Sequence, residues 1–194
     1  MLQEPDARWL SLFYLVTFGG FVGLSGYLSI FFVDRFELTK LSAAGYAALC
    51  AGAGSLLRPL GGALADRLGG TRVLTGALMV VAALAVALAS LPGLGLTVAL
   101  LVLTMGTLGM GNGAVFQVVP QRFPAAVGPI TGLVGAAGGL GGFLLPFALG
   151  SLEGSTGTFA AGFMVFAFAA VLASVAVSRR QRVWRTDWAL DVAI

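Results

Sequence analysis

One side chain in this sequence invites a chemical reading before any other. Arg58 lies inside the apolar run Leu56-Leu57-Arg58-Pro59-Leu60-Gly61-Gly62. A guanidinium is planar and permanently charged, and its donors form a fork that matches two oxygens of an oxyanion. Setting it at the centre of a membrane span costs about 2.5–3.5 kcal/mol on insertion scales, which calls for a partner or an aqueous cavity. No Asp or Glu lies deep in another apolar run to pair with it. The expectation is an anion-binding group. The competing readings are an arginine bound to backbone carbonyls and one that snorkels to an interface. On a helix, Gly54, Gly61 and Gly62 would share its face and leave room for a ligand, and Pro59 would distort the helix locally.

Three further sets of residues have suggestive spacing. Tyr14 and Phe18 stand at i, i+4, with Ser11 at i−3 from the tyrosine. Such a face can wall a small anion and offer one hydroxyl, or it can simply pack. Gly135, Gly138, Gly139 and Gly142 make one smooth helix face, suited to close approach by a helix or a ligand. Asn112 and Gln117 are polar groups in an apolar run, able to bond across helices or line a pathway. Where the run that holds Arg58 ends, Asp66, Arg67 and Arg72 form a charged loop. It reads either as a latch or as solvated charge at a membrane surface.

The elements that must carry these residues follow from composition. Of the 194 residues, 58% are hydrophobic and 10% charged, and the mean hydropathy is +0.98. A soluble domain draws about 25% of its residues from the charged types. This chain lacks the polar surface a soluble domain needs, and the 29 glycines fit closely packed membrane helices. The reading is an all-α membrane protein. Apolar runs of the required ~20 residues predict six spans, at about 10–33, 42–64, 73–91, 95–119, 128–150 and 158–178. A basic tail follows at 179–194, in which Trp184 and Trp188 suit either an interfacial anchor or an unstructured end. Arg8, Arg67, Arg72, Arg122, Arg179, Arg180, Arg182 and Arg185 all fall on one side of this arrangement. The positive-inside rule therefore predicts both termini in the cytoplasm. These basic residues sit at span ends, so the lipid bilayer is the expected partner and nucleic acid is not.

Several chemistries are excluded. The chain has no His and a single Cys, Cys50. That removes Ser-His and Cys-His nucleophile pairs and the common zinc ligand sets, so no metal and no cofactor is expected. Gly23-Leu24-Ser25-Gly26 imitates the nucleophile motif of rhomboid proteases but has no base. No Walker or Rossmann motif occurs in a soluble segment. An enzyme is the class least supported.

The loop Gly62-Ala63-Leu64-Ala65-Asp66-Arg67-Leu68-Gly69 resembles the cytoplasmic signature of the major facilitator superfamily. Four segments narrow that resemblance to its nitrate/nitrite porters: Tyr14–Phe21, Leu57–Gly62, Gly111–Gln117 and Gly135–Pro146. The order matches that family's seventh to twelfth helices, so the chain is expected to form the C-terminal six-helix half of a major facilitator fold. The resemblance implies nitrate or nitrite as the ligand, transport by alternating access and a location in the inner cell membrane. It implies that Arg58 holds the anion, that Tyr14 and Phe18 wall the site, and that the 135–142 glycines pack near it and let helices slide. A missing N-terminal half or a second copy would complete the site. Nitrate/nitrite exchange and proton symport stay open. So do a half-transporter for another small or organic anion and a non-transporting assembly partner.

Overall fold

A computed structural model describes residues 4–187, with side chains as far as Trp184. Six helices account for the regular structure among the described residues: α1 (Pro5–Phe36), α2 (Lys40–Leu68), α3 (Gly70–Ala89), α4 (Leu94–Arg122), α5 (Val127–Thr156) and α6 (Phe159–Asp187). Each is long and apolar enough to cross a membrane.

Local chemistry sets the ends. Pro5 opens α1, where its missing N–H costs nothing. The Thr39 hydroxyl caps α2 by accepting from the Ser42 N–H at 3.3 Å. α5 stops at Gly157, whose φ of 70° is the left-handed cap that glycine adopts without penalty. Between α2 and α3 only Gly69 is non-helical, with φ 91° and ψ 130°. Asp66, Arg67 and Arg72 are therefore helical and exposed, not part of a flexible loop. Charged residues mark where a helix leaves the apolar layer, but they do not stop it from continuing into water. The same holds at the end of the chain, where α6 runs on through the basic segment to Asp187.

Small residues decide how the helices meet. α4 presses on α2: a Cβ at Gly109 would overlap the Gly54 carbonyl, one at Gly61 would overlap Met110, and one at Gly113 would overlap the Arg58 carbonyl. α1 and α5 meet the same way, backbone to backbone, at Gly19 and Gly141. Dispersion between close backbones drives association where lipid removes the hydrophobic advantage. One expectation is corrected here. Gly54 and Gly61 do not leave ligand space beside Arg58, because the backbone of α4 fills it. Some buried hydroxyls bond back along their own helix, as Thr17 does to the Phe13 carbonyl at 3.1 Å and Thr104 to that of Leu100 at 2.8 Å, while Ser174 of α6 reaches the Thr75 carbonyl of α3 at 3.4 Å.

At one end of the bundle Asp6 joins three helices. Its carboxylate is 7% exposed. It accepts from Arg122 Nε at 2.6 Å, Arg180 Nη2 at 3.2 Å and Trp184 Nε1 at 2.7 Å. Trp184 is 1% exposed and meets Phe13 edge-on. It is thus neither an interfacial anchor nor an unstructured end. A bound carboxylate gives its indole N–H a buried partner, and the ring completes the core. Trp188 and the Arg185 side chain lie outside the described residues.

Candidate anion site

Arg58 projects from α2 towards α1. Its Nη2 donates to the Tyr14 hydroxyl at 2.7 Å. Its Cζ lies 5.5 Å from the Phe18 ring centre and 5.3 Å from that of Phe116, both in cation–π range. Tyr14 and Phe18 stack with centroids 4.8 Å apart and planes within 4°. Phe116 tilts against Tyr14 at 4.7 Å.

Each helix contributes for a local reason. The i, i+4 spacing on α1 sets Tyr14 over Phe18. On α5, Gly138 supplies the floor, since a Cβ there would lie 2.6 Å from Tyr14 Cδ1 and 2.8 Å from Phe18 Cδ1. Only a residue without a side chain lets both rings lie flat. α4 brings Phe116, one turn beyond Asn112.

The arrangement can hold an anion. The Tyr14 oxygen accepts from Arg58, so its own O–H proton is free to donate elsewhere. Among the described residues no carboxylate lies within ion-pair distance of Arg58. A guanidinium has five N–H donors, and Tyr14 is its one hydrogen-bonding side chain among those residues. What remains is a half-buried cation with unused donors, one hydroxyl beside it and aromatic walls.

The structure therefore brings Arg58, Tyr14, Phe18 and Gly138 together. Gly142 packs on Val22 of α1, one turn further along. Gly135 and Gly139 do not join them, since a Cβ on either would meet nothing within 4 Å. The stripe facing α1 runs through Val134, Gly138, Gly141 and Leu145, and at 100° per residue Gly135 and Gly139 turn away from it. Asn112 is 1% exposed, and its Oδ1 has no partner among the described residues. No hydrogen bond joins it to Arg58 or Tyr14 there. Asp66, Arg67 and Arg72 stand at the α2–α3 junction, apart from this cluster.

Phe116 is the residue that reading the sequence misses. Its segment, Gly111–Gln117, carries part of the family resemblance, but Asn112 is the residue there whose polarity stands out. The available signal was the i+4 spacing of Phe116 from that asparagine.

Residues 1–146 match the family model of the Major Facilitator Superfamily. The chain belongs to the major facilitator superfamily. Every site residue named above falls inside the matched region. The chain is 38% identical over 175 residues to a nitrite extrusion protein of Bacillus subtilis, covering 87% of this chain and 43% of that protein. It is 39% identical over 149 residues to a probable nitrate/nitrite transporter, NarK2, of Mycobacterium tuberculosis, covering 76% and 38%. It is 35% identical over 185 residues to a probable nitrate/nitrite antiporter, NarK1, of Thermus thermophilus, covering 83% and 41%. The chain thus spans about two-fifths of the length of the curated relatives it matches. It is an integral membrane protein with a six-helix major facilitator architecture, and its relatives carry the names that its motifs led one to expect.

Proposed function

We propose that this chain is half of a nitrate/nitrite transporter that works by alternating access, with Arg58 as the residue that holds the anion. The observation that carries this reading is the Arg58 guanidinium, set between two aromatic faces and answered by a tyrosine hydroxyl instead of a carboxylate. Tyr14 adds a donor, Phe18 and Phe116 exclude water, and Gly138 keeps the rings in place. Asn112 contributes a buried amide one turn from Phe116.

Facilitator sites lie between two halves that rock about them. α2 and α5 are the least covered helices, with 22% and 28% of their apolar stretches buried against 50% for α1. Their open faces, with Gly135 and Gly139 on α5, are where a second six-helix unit seats. That unit is an N-terminal half or a second copy of this chain. The even helix number puts both ends on one side, and the basic residues there support the cytoplasm as that side; the family resemblance supports an inner cell membrane. Asp66, Arg67 and Arg72 form the cytoplasmic gate.

The test is uptake of labelled nitrate and nitrite into proteoliposomes holding this chain alone or with a six-helix N-terminal half. Uptake with the pair, or with the chain as a dimer, and its loss in Arg58→Ala, is the expected result. Competition by a bulky organic anion but not by nitrate or nitrite would reassign the substrate. Uptake in neither preparation would make the chain an assembly partner.

A further inference from the structure

Away from the Arg58 site, a groove of about 400 Å³ runs between α3 and α6. Arg179 and Arg182 form its mouth, and Ser178, Thr75, Met79 and Val175 line the rest. The two arginines are at i, i+3 on α6, so they share a side of the helix. The arginine between them, Arg180, turns the other way and binds Asp6. Both mouth arginines are exposed, and no carboxylate pairs with either among the described residues. The hydroxyls are already used: Ser178 donates to the Ser174 carbonyl at 3.0 Å and Thr75 to that of Thr71 at 2.8 Å. The two guanidinia are the donors left for a ligand.

The groove changes character away from its mouth. Met79 is 51% exposed and Val175 42%. Leu172 and Val171 carry the apolar surface further along α6. A free anion would gain from the arginines and nothing from this floor. A neutral amphiphile would gain from the floor and nothing from the arginines. We propose that the groove binds an anionic phospholipid, its phosphate on Arg179 and Arg182 and an acyl chain along Met79, Val175 and Leu172. Basic pockets between membrane helices recognise anionic headgroups in this way. The assignment rests on the membrane architecture and is independent of what Arg58 binds.

The experiment is native mass spectrometry of the full chain in mild detergent, titrated with phosphatidylglycerol or with phosphatidylcholine of the same acyl chains. One phosphatidylglycerol is retained in preference to phosphatidylcholine. Replacing both arginines, Arg179→Gln with Arg182→Gln, weakens retention about fivefold per arginine and about 30-fold together. The double lysine variant keeps most of it. Val175→Trp fills the floor with both charges intact and also weakens it, which separates a lipid site from simple surface charge. Arg67→Gln with Arg72→Gln removes the same charge at the same end and leaves retention unchanged. Three results would overturn the proposal: equal retention of both lipids, an equal loss on removing Arg67 and Arg72, or full displacement by millimolar inorganic phosphate.

Discussion

Asp6 and Arg58 are both charged groups set among packed helices, but the fold answers them differently. Asp6 receives three donors from α4 and α6 at 2.6, 2.7 and 3.2 Å. Arg58 receives one hydroxyl and two ring faces. A carboxylate with its lone pairs occupied binds helices together and has little left to offer a ligand. A guanidinium with most of its donors unused adds little to the bundle's cohesion, and it keeps the interaction energy that an arriving anion can use. Removing one partner of a buried pair is costly because the other charge is stranded. Removing Arg58 strands no charge, only the Tyr14 hydroxyl. On the proposed reading, anion binding and bundle cohesion rest on different charges, and each can be removed separately.

The largest effect that would sharpen this contrast is on binding. Arg58→Lys retains the charge but loses the fork, and nitrate affinity of the assembled transporter should fall by about 100-fold, towards the upper end for loss of a hydrogen bond between charged groups. Thermal unfolding in detergent should hold, since the charge stays where it was and no buried counter-charge is stranded. A marked drop in melting temperature would erase the distinction between the two regions. Next comes Asp6→Asn. It leaves Arg122 and Arg180 facing each other with a weaker acceptor, and should cost about 2–3 kcal/mol by denaturant titration. That is below the full buried-pair figure because the arginine side chains keep 35% and 24% of their surface exposed. Anion affinity measured below the unfolding transition should be unchanged. The smallest effect concerns the floor of the site. Gly138→Ala drives a methyl into the Tyr14 and Phe18 rings and should reduce affinity about tenfold, within the range for overpacking. Gly132→Ala, with open space around it, serves as the control in the same assay.

Much of this was legible in the sequence. Six apolar runs define six helices because nothing but a helix satisfies its own backbone over such lengths in lipid. Arg58 stood out because charge at that depth is rare. The i, i+4 spacing set Tyr14 and Phe18 on one face and left open whether they wall a ligand or only pack. Other features were hidden for physical reasons. Asp6 lies at the start of the first helix, where an acidic residue reads as a solvated flank, and its donors come from 116 to 178 residues away. Trp184 follows a basic run and resembles a membrane-surface anchor until the long-range carboxylate is seen. The glycines around Arg58 looked like ligand space because periodicity reports which residues share a face and says nothing of the neighbouring helix that occupies it. Gly135 and Gly139 were grouped with Gly138 for the same reason: an i, i+3, i+4 stripe is broad, and spacing does not say which edge of it meets the next helix.

The single-residue link at Gly69 has a consequence for how the chain is made. With no loop between α2 and α3, neither can settle across the bilayer without dragging its neighbour, so the two must enter as one hairpin. Once inside, each packs more on other helices than on its partner: α2 on α4 and α1, and α3 on α6 and α4. The hairpin enters the membrane before α4 and α6, its main partners, have been synthesised. Its early residence rests on hydropathy and on α1, which meets Arg58 through Tyr14 and Phe18. Arrival of α4 then adds the close backbone packing on Gly54, Gly61 and the Arg58 carbonyl that the early hairpin lacks.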